Sequence, residues 1–162
     1  DLGIDAYVPG TYIEDERQKI EIYKRIREME TEETLDEIQD DLLDRFGEFP
    51  DEVSHLLTIG QIKMDGDRAL LETIRKQDDK IRFTLSKAGT KLYSVEQLFE
   101  ALGATKLKAT MGVDREKMSI ILTIEKKMGQ AVWLHEVQEF VKALRAEKYK
   151  ALKEKEKNQP KD

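Results

Sequence analysis

Cysteine is absent from the 162 residues, which removes disulfide staples, thiolate zinc sites and a cysteine nucleophile together. That absence fits a reducing cytoplasm. No run approaches the roughly 18 apolar residues needed to span a bilayer, and no positively charged leader precedes an apolar stretch. A cytoplasmic location without a membrane partner is therefore expected. The phosphate-cradling pattern GxxxxGK[ST], the dinucleotide pattern GxGxxG and the zinc pattern HExxH are all missing, so the chain carries no sequence support for hydrolysing ATP alone or for a common metallohydrolase site. Its two histidines, His55 and His135, stand on different predicted helices, where each serves as a helix-face hydrogen bonder, because an acid–base imidazole also needs an orienting partner. Ser, Thr and Lys are plentiful but show no nucleophile arrangement. The chain opens on Asp1 rather than Met, which points to a fragment of something longer or a processed chain.

What is present is charge. Charged residues make up 38% of the chain and apolar ones 39%, and the apolar residues recur at regular spacing, so a packed core under a very polar exterior is expected. The length suits one ordinary domain or two very small ones. The net charge of -6 hides a division: residues 1–60 carry 18 acidic and 6 basic side chains, a balance of -12, and the remainder balances at +6. Such asymmetry can steer partners of opposite sign.

Residues 1–13 mix isolated apolar groups with Gly3, Pro9 and Gly10 and read as an extended entry segment. Asp15 with Gln18 forms a capping signature for a helix from about 16 to 29, with Ile22, Ile26 and Met29 on one stripe and Tyr23 at its edge. Thr34 with Glu37 repeats the signature ahead of Leu35, Ile38, Leu42 and Phe46, and Gly47 can end that helix in a positive-φ conformation. Pro50 suits the first position of a third helix, whose apolar positions include Val53, Leu56, Leu57, Ile59 and Ile62. The period then changes. "ALLETI" and "KIRFTLS" read as strands joined by the turn "KQDD", with Ile81, Phe83 and Leu85 inward. Ser94 and Gln97 cap "VEQLFEAL", which Gly103 can close. "TKLKATM" and "MSIILTI" are two further strands about the turn-like "GVDREK". A final helix begins near Gln130 and presents Trp133, Val137, Phe140, Val141 and Leu144, with Trp133 as a core anchor; its tail is expected to fray beyond Leu152. The order predicts an α+β fold, an N-terminal three-helix unit followed by a small β-β-α-β-β-α unit. The expected division is an entry segment at 1–13, a domain at 14–145 with a helical part at 14–64 and an α+β part at 68–145, and a charged tail at 146–162.

The stretch "DEIQDDLLDRFGEFPDE" at 36–52 poses the functional question. Asp41 and Asp44, three apart, share one face on neighbouring helical turns, away from the stripe of Leu35, Ile38 and Leu42, and Asp40 extends the acidic surface. Three readings stay open: a solvated face, a protein-binding face, or a metal or catalytic site. A hard-cation site needs oxygens converging from several directions, and no EF-hand pattern exists. For a protein-binding face the expected complement is arginine, whose fork engages carboxylates directionally. A separate possibility lies in the basic remainder. Residues 142–162 hold eight Lys/Arg against four Asp/Glu, and Lys106 and Lys108 add to them, which could follow a phosphate backbone; interspersed glutamates and a lack of aromatic platforms argue for a solvated helix end instead.

At "DAYVPGTYIEDERQKIEIYKRI" and "LLDRFGEFPDEVSHLL" the chain resembles the C-terminal TRCF domain of the bacterial transcription-repair coupling factors, the Mfd family, over residues 5–145. The resemblance implies a non-catalytic piece of an ATP-driven DNA translocase whose ATP and Mg sites lie in an upstream motor, with no cofactor in this part. It further implies partners for the parent: RNA polymerase at a stall, UvrA in nucleotide excision repair, and double-stranded DNA. For this domain it implies an intramolecular partner, an N-terminal UvrB-like module whose UvrA-binding surface the domain covers at rest. Carried over by position, the family's acidic clamp falls on Asp41 and Asp44, with Asp40 beside them, and would pair with arginines of that module; Asp41 stands where a longer glutamate is found in at least one branch. Arg45 and Phe46 would pack and pair locally, and Gly47 and Pro50 would aim the acidic face. The alternative is a module that binds nucleic acid in a salt-dependent way through Lys106, Lys108 and the tail lysines. An enzyme built from dispersed carboxylates is a third class, which would require a convergent acidic pocket.

Overall fold

A computed structural model describes residues 2–158. The chain divides into two compact units, a helical one at Gly3–Met64 and an α+β one from Asp65 onward, with Leu2 grouping with the second.

In the helical unit, α1 (Glu16–Arg27), α2 (Glu32–Phe46) and the greater part of α3 (Asp51–Arg68) follow each other through short connections. Asp15 caps α1 by accepting the N–H groups of Arg17 and Gln18. The cap of α2 is Thr31 rather than Thr34: Thr31 is the last extended residue, and its hydroxyl accepts the N–H of Thr34, so the helix starts one turn earlier than the spacing of Thr34 and Glu37 suggests. Gly47 ends α2 at φ 82, where a Cβ would be strained. The Pro50 carbonyl accepts from Val53 and Ser54 to open α3. Ile22, Ile26 and Met29 pack with Leu35, Ile38, Leu42, Val53 and Leu57, and the entry segment contributes Val8 and Ile13 to this core. Its backbone is held as well: the Val8 N–H donates to the Tyr23 hydroxyl at 2.7 Å. Gly60 of α3 sits against Ile26, where a Cβ would fall 2.6 Å from Cγ2.

The α+β unit is a four-stranded antiparallel sheet of β1 (Leu71–Gln77), β2 (Lys80–Leu85), β3 (Lys108–Asp114) and β4 (Lys117–Thr123), in spatial order β1-β2-β4-β3. Two helices, α4 (Lys87–Leu92) and α5 (Val95–Leu102), separate the hairpins, and α6 (Gln130–Lys157) follows. The alternation of β2 buries Ile81, Phe83 and Leu85 with Ile120 and Leu122 of β4, and Phe83 meets Phe140 of α6 edge-on at 5.1 Å. Trp133 is buried, with the Lys76 ammonium 5.7 Å over its ring. Ser94 and Gln97 complete a reciprocal capping box on α5.

Three features of the α+β unit stand out among the further departures from the sequence reading. First, α4 is additional: Ser86 caps it, and Gly89 lets it lie so close to Leu70 that a Cβ would stand 2.9 Å from the Leu70 carbonyl oxygen. Second, "GVDREK" is almost wholly strand; only Arg115 and Glu116 form the turn, both at positive φ (50 and 69). Third, α6 continues to Lys157 instead of fraying past Leu152. Ala151 is buried, and Gln97 Nε2 of α5 donates to Glu154 Oε2 at 3.3 Å, so the last turns have a neighbour to rest on.

The candidate docking face on α2

The amphipathic spacing that buries Leu35, Ile38 and Leu42 turns Asp40, Asp41 and Asp44 toward the outer side of α2. The three acids are not equivalent. Asp41 Oδ2 accepts from Arg25 Nη1 of α1 at 2.6 Å and from Arg45 Nη1, one turn later on α2, at 3.2 Å. All three side chains keep about a third of their surface: 31% for Asp41 and for Arg25, 35% for Arg45. The hydrogen bond from Arg25 leads in holding the Asp41 carboxyl below the usual carboxylate range; burial opposes it, and the smaller contribution of Arg45 adds to the lowering. Asp44 and Asp40 are exposed and form no ion pair among the described residues. The face thus carries one internally clasped carboxylate, two guanidiniums that clasp it, and two carboxylates open to a partner.

The turn after α2 is fixed from three sides. Arg45's guanidinium lies 4.9 Å over the Phe46 ring, and Phe46 meets Tyr12 at 5.8 Å between ring centroids. The Tyr12 hydroxyl donates to the Gly47 carbonyl at 2.7 Å, with Leu42 O also within 3.2 Å; desolvation raises its pKa. Those contacts anchor the end of α2 and hold Arg45 against Phe46.

Arg25 is the participant that the sequence did not disclose. It lies on another helix, 16 residues from Asp41, and nothing in its own helix marks it as different from Lys24 or Arg27. The remaining candidates are dispersed. His55 Nδ1 lies 3.4 Å from the Asp5 carbonyl oxygen, and His135 faces Glu139 at 3.8 Å on the outside of α6. Lys106 and Lys108 are exposed, and the Lys106 N–H donates to Glu136 Oε2 at 2.7 Å. Among the described residues, no group of three or more His, Cys, Asp or Glu is placed to hold a metal ion, and no helix is long and apolar enough to cross a membrane.

A three-helix unit bearing an acidic second helix, joined to a four-stranded antiparallel α+β unit, defines the class of domain to compare. The family model described as "TRCF domain" matches residues 2–94. A crystal structure of the C-terminal domain of transcription-repair coupling factor superposes with a TM-score of 0.86 at 36% identity, covering 92% of each chain. The transcription-repair-coupling factor of Bacillus subtilis is 33% identical over 145 residues, and that of Staphylococcus aureus strain USA300 is 37% identical over 144. The alignments take in 90% and 89% of this chain but 12% of each relative. The chain belongs to the TRCF domain family, the C-terminal domain of bacterial transcription-repair coupling factors.

Proposed function

We propose that this chain is the regulatory C-terminal module of a longer protein that couples stalled transcription to nucleotide excision repair, and that it acts as a brake. In this reading the outer face of α2 rests on arginines of a UvrB-like module in the same protein and covers the surface that recruits UvrA. The parent supplies an ATP- and Mg-dependent motor on double-stranded DNA, meets RNA polymerase, and works in the cytoplasm. The observation that carries the reading is the pair of open carboxylates, Asp40 and Asp44, flanking the clasped Asp41 in a chain of this family.

The geometry divides the work between the acidic residues. Asp44 has its full hydrogen-bonding capacity available, so it makes the first contact with an incoming guanidinium. Asp41 gives up least by exchanging the longer of its two bonds, that from Arg45, while Arg25 keeps it oriented. Each contact is modest because the groups are partly solvated, about 1 kcal/mol or less apiece. That suits a switch, which needs only a small difference in stabilisation between its closed and open states.

The test compares UvrA binding by the full-length parent with that of its Asp44→Ala and Asp41→Ala/Asp44→Ala variants, with the thermal stability of the 162-residue chain measured alongside. Increased UvrA binding on an intact domain supports the brake. Unchanged UvrA binding in the double variant removes these aspartates from it.

A further inference from the structure

The sheet of the α+β unit has two faces. Side chains alternate across a strand, so the register assigns each residue to one of them. Lys76, Ile81, Leu122 and Ala109 form one cross-strand row and Ile74, Phe83, Ile120 and Met111 the next; these belong to the face whose Phe83 meets α6. The opposite face holds the intervening rows, Gln77–Lys80–Thr123–Lys108 and Arg75–Arg82–Ile121–Thr110. These two adjacent rows bring together four cations and no carboxylate.

Arg75 and Arg82 are direct cross-strand partners. Both are exposed, and neither forms an ion pair among the described residues. Side chains opposed in this way have Cβ atoms about 5 Å apart, and like charges so placed destabilise the pairing. A hairpin carrying that cost gains it back if an anion sits between the two guanidiniums. A concavity of about 570 Å³ opens there, lined by Arg75, Arg82, Lys80 and Ile121, with Asp78 and Asp79 at the hairpin end.

We propose that this open face is a binding site for the phosphate backbone of duplex nucleic acid, with Arg75 and Arg82 straddling the backbone and Lys80 and Lys108 flanking it. The rest of the face favours phosphate over an acidic protein. Its next row is Thr73–Thr84–Ser119–Gly112, of which Thr73 and Thr84 are half-buried and Ser119 is buried, so two threonine hydroxyls border the cations, and guanidinium, ammonium and hydroxyl groups are the usual donors to phosphate oxygens. Protein interfaces are instead anchored by buried aromatic and large apolar side chains, and here Ile121 is the single large apolar residue in the three rows. The absence of aromatics from those rows also disfavours a single strand, which needs platforms for its bases. The site is independent of the α2 brake and differs from one based on the α6 tail.

Fluorescence anisotropy of a labelled 20-base-pair duplex with the 162-residue chain, across a salt series, tests the proposal. The expected result is salt-dependent binding that weakens by about 10-fold in Arg75→Ala/Arg82→Ala, with the salt slope reduced by about two, one for each lost phosphate contact. Lys153→Ala/Lys155→Ala, on the α6 tail, should bind as the parent chain does. The melting temperature of the arginine double variant should stay level or rise, since a like-charge pair has been removed; a fall would assign the arginines a structural role. The proposal is overturned by absence of binding, by binding that the arginine variant leaves intact, or by poly-glutamate displacing the duplex at equal charge concentration, which would make the occupant an acidic protein surface.

Discussion

Arg25 Nη1 stands 2.6 Å from Asp41 Oδ2, a bond that ties α1 to α2 across the outside of the helical unit. With Arg45 on the same oxygen, Asp41 belongs first to its own domain and only then to a partner. Under the proposed docking, Asp41 would have two separable effects, one on stability and one on the partner, whereas the exposed Asp44 would have only the second.

The pH dependence of stability should show the first effect. The folded Asp41 carboxyl is held below its ordinary value, so folding favours its ionised form. Its contribution is complete above the ordinary carboxylate pKa and fades as pH falls through the depressed value. At neutral pH Asp41→Asn should melt a few degrees below the parent chain, corresponding to about 1 kcal/mol. The gap should close in acid, and melts recorded from pH 7 to pH 2 check it; a constant gap would mean that charge is not its source.

Docking should separate the aspartates in the opposite order. Asp44→Asn is expected to leave the melting temperature of the chain unchanged within about 0.5 kcal/mol, while weakening capture of an isolated UvrB-like module more than Asp40→Asn does. Calorimetric titration of both variants decides the order.

A buried ion pair offers a sharper stability test. Arg145 Nη1 of α6 lies 2.6 Å from Asp65 Oδ1 in the last turns of α3, and the Asp65 side chain is 2% exposed. That hydrogen bond raises the Arg145 pKa, while Asp65 Oδ2 has no partner among the described residues. Removing Arg145 strands the buried carboxylate, so Arg145→Ala should cost about 3–5 kcal/mol, more than Asp65→Ala, which leaves a guanidinium that is 21% exposed. Urea unfolding measures both, and a loss below 1 kcal/mol in Arg145→Ala would show that the Asp65 carboxylate is relieved without its arginine.

Packing of α4 supplies another. At Gly89 a Cβ would meet the Leu70 carbonyl oxygen at 2.9 Å and Leu70 Cβ at 3.1 Å, and that carbonyl already accepts the Ser86 N–H. Backbone cannot yield as a side-chain end does. Gly89→Ala should therefore destabilise by about 1–3 kcal/mol, despite the helix preference of alanine; a gain in melting temperature would contradict the close approach.

The helices of the first unit were legible because each carries a stripe, a cap or a stop: Ile22 and Ile26, Asp15, Gly47. The strands were legible from alternation, most clearly at Ile81, Phe83 and Leu85. What escaped has a common cause. The six residues of α4 span too few turns to show a period, and Gly89 reveals its purpose only against Leu70, 19 positions away. The Arg25–Asp41 bond joins two helices whose own patterns are complete without it. Arg75 and Arg82 could be paired only once the turn was narrowed from "KQDD" to Asp78 and Asp79. Within the acidic face the residues were readable, but their inequality was not, because it depends on which arginine arrives from elsewhere.

The entry segment has a mechanical meaning. It is riveted at Val8 to the Tyr23 hydroxyl of α1 and at Tyr12 to the Gly47 carbonyl just past α2. Tension arriving along the backbone at Val8 is therefore shared between both helices before it travels down either, and the turn that ends α2 is wired to the entry segment like a bell to its rope.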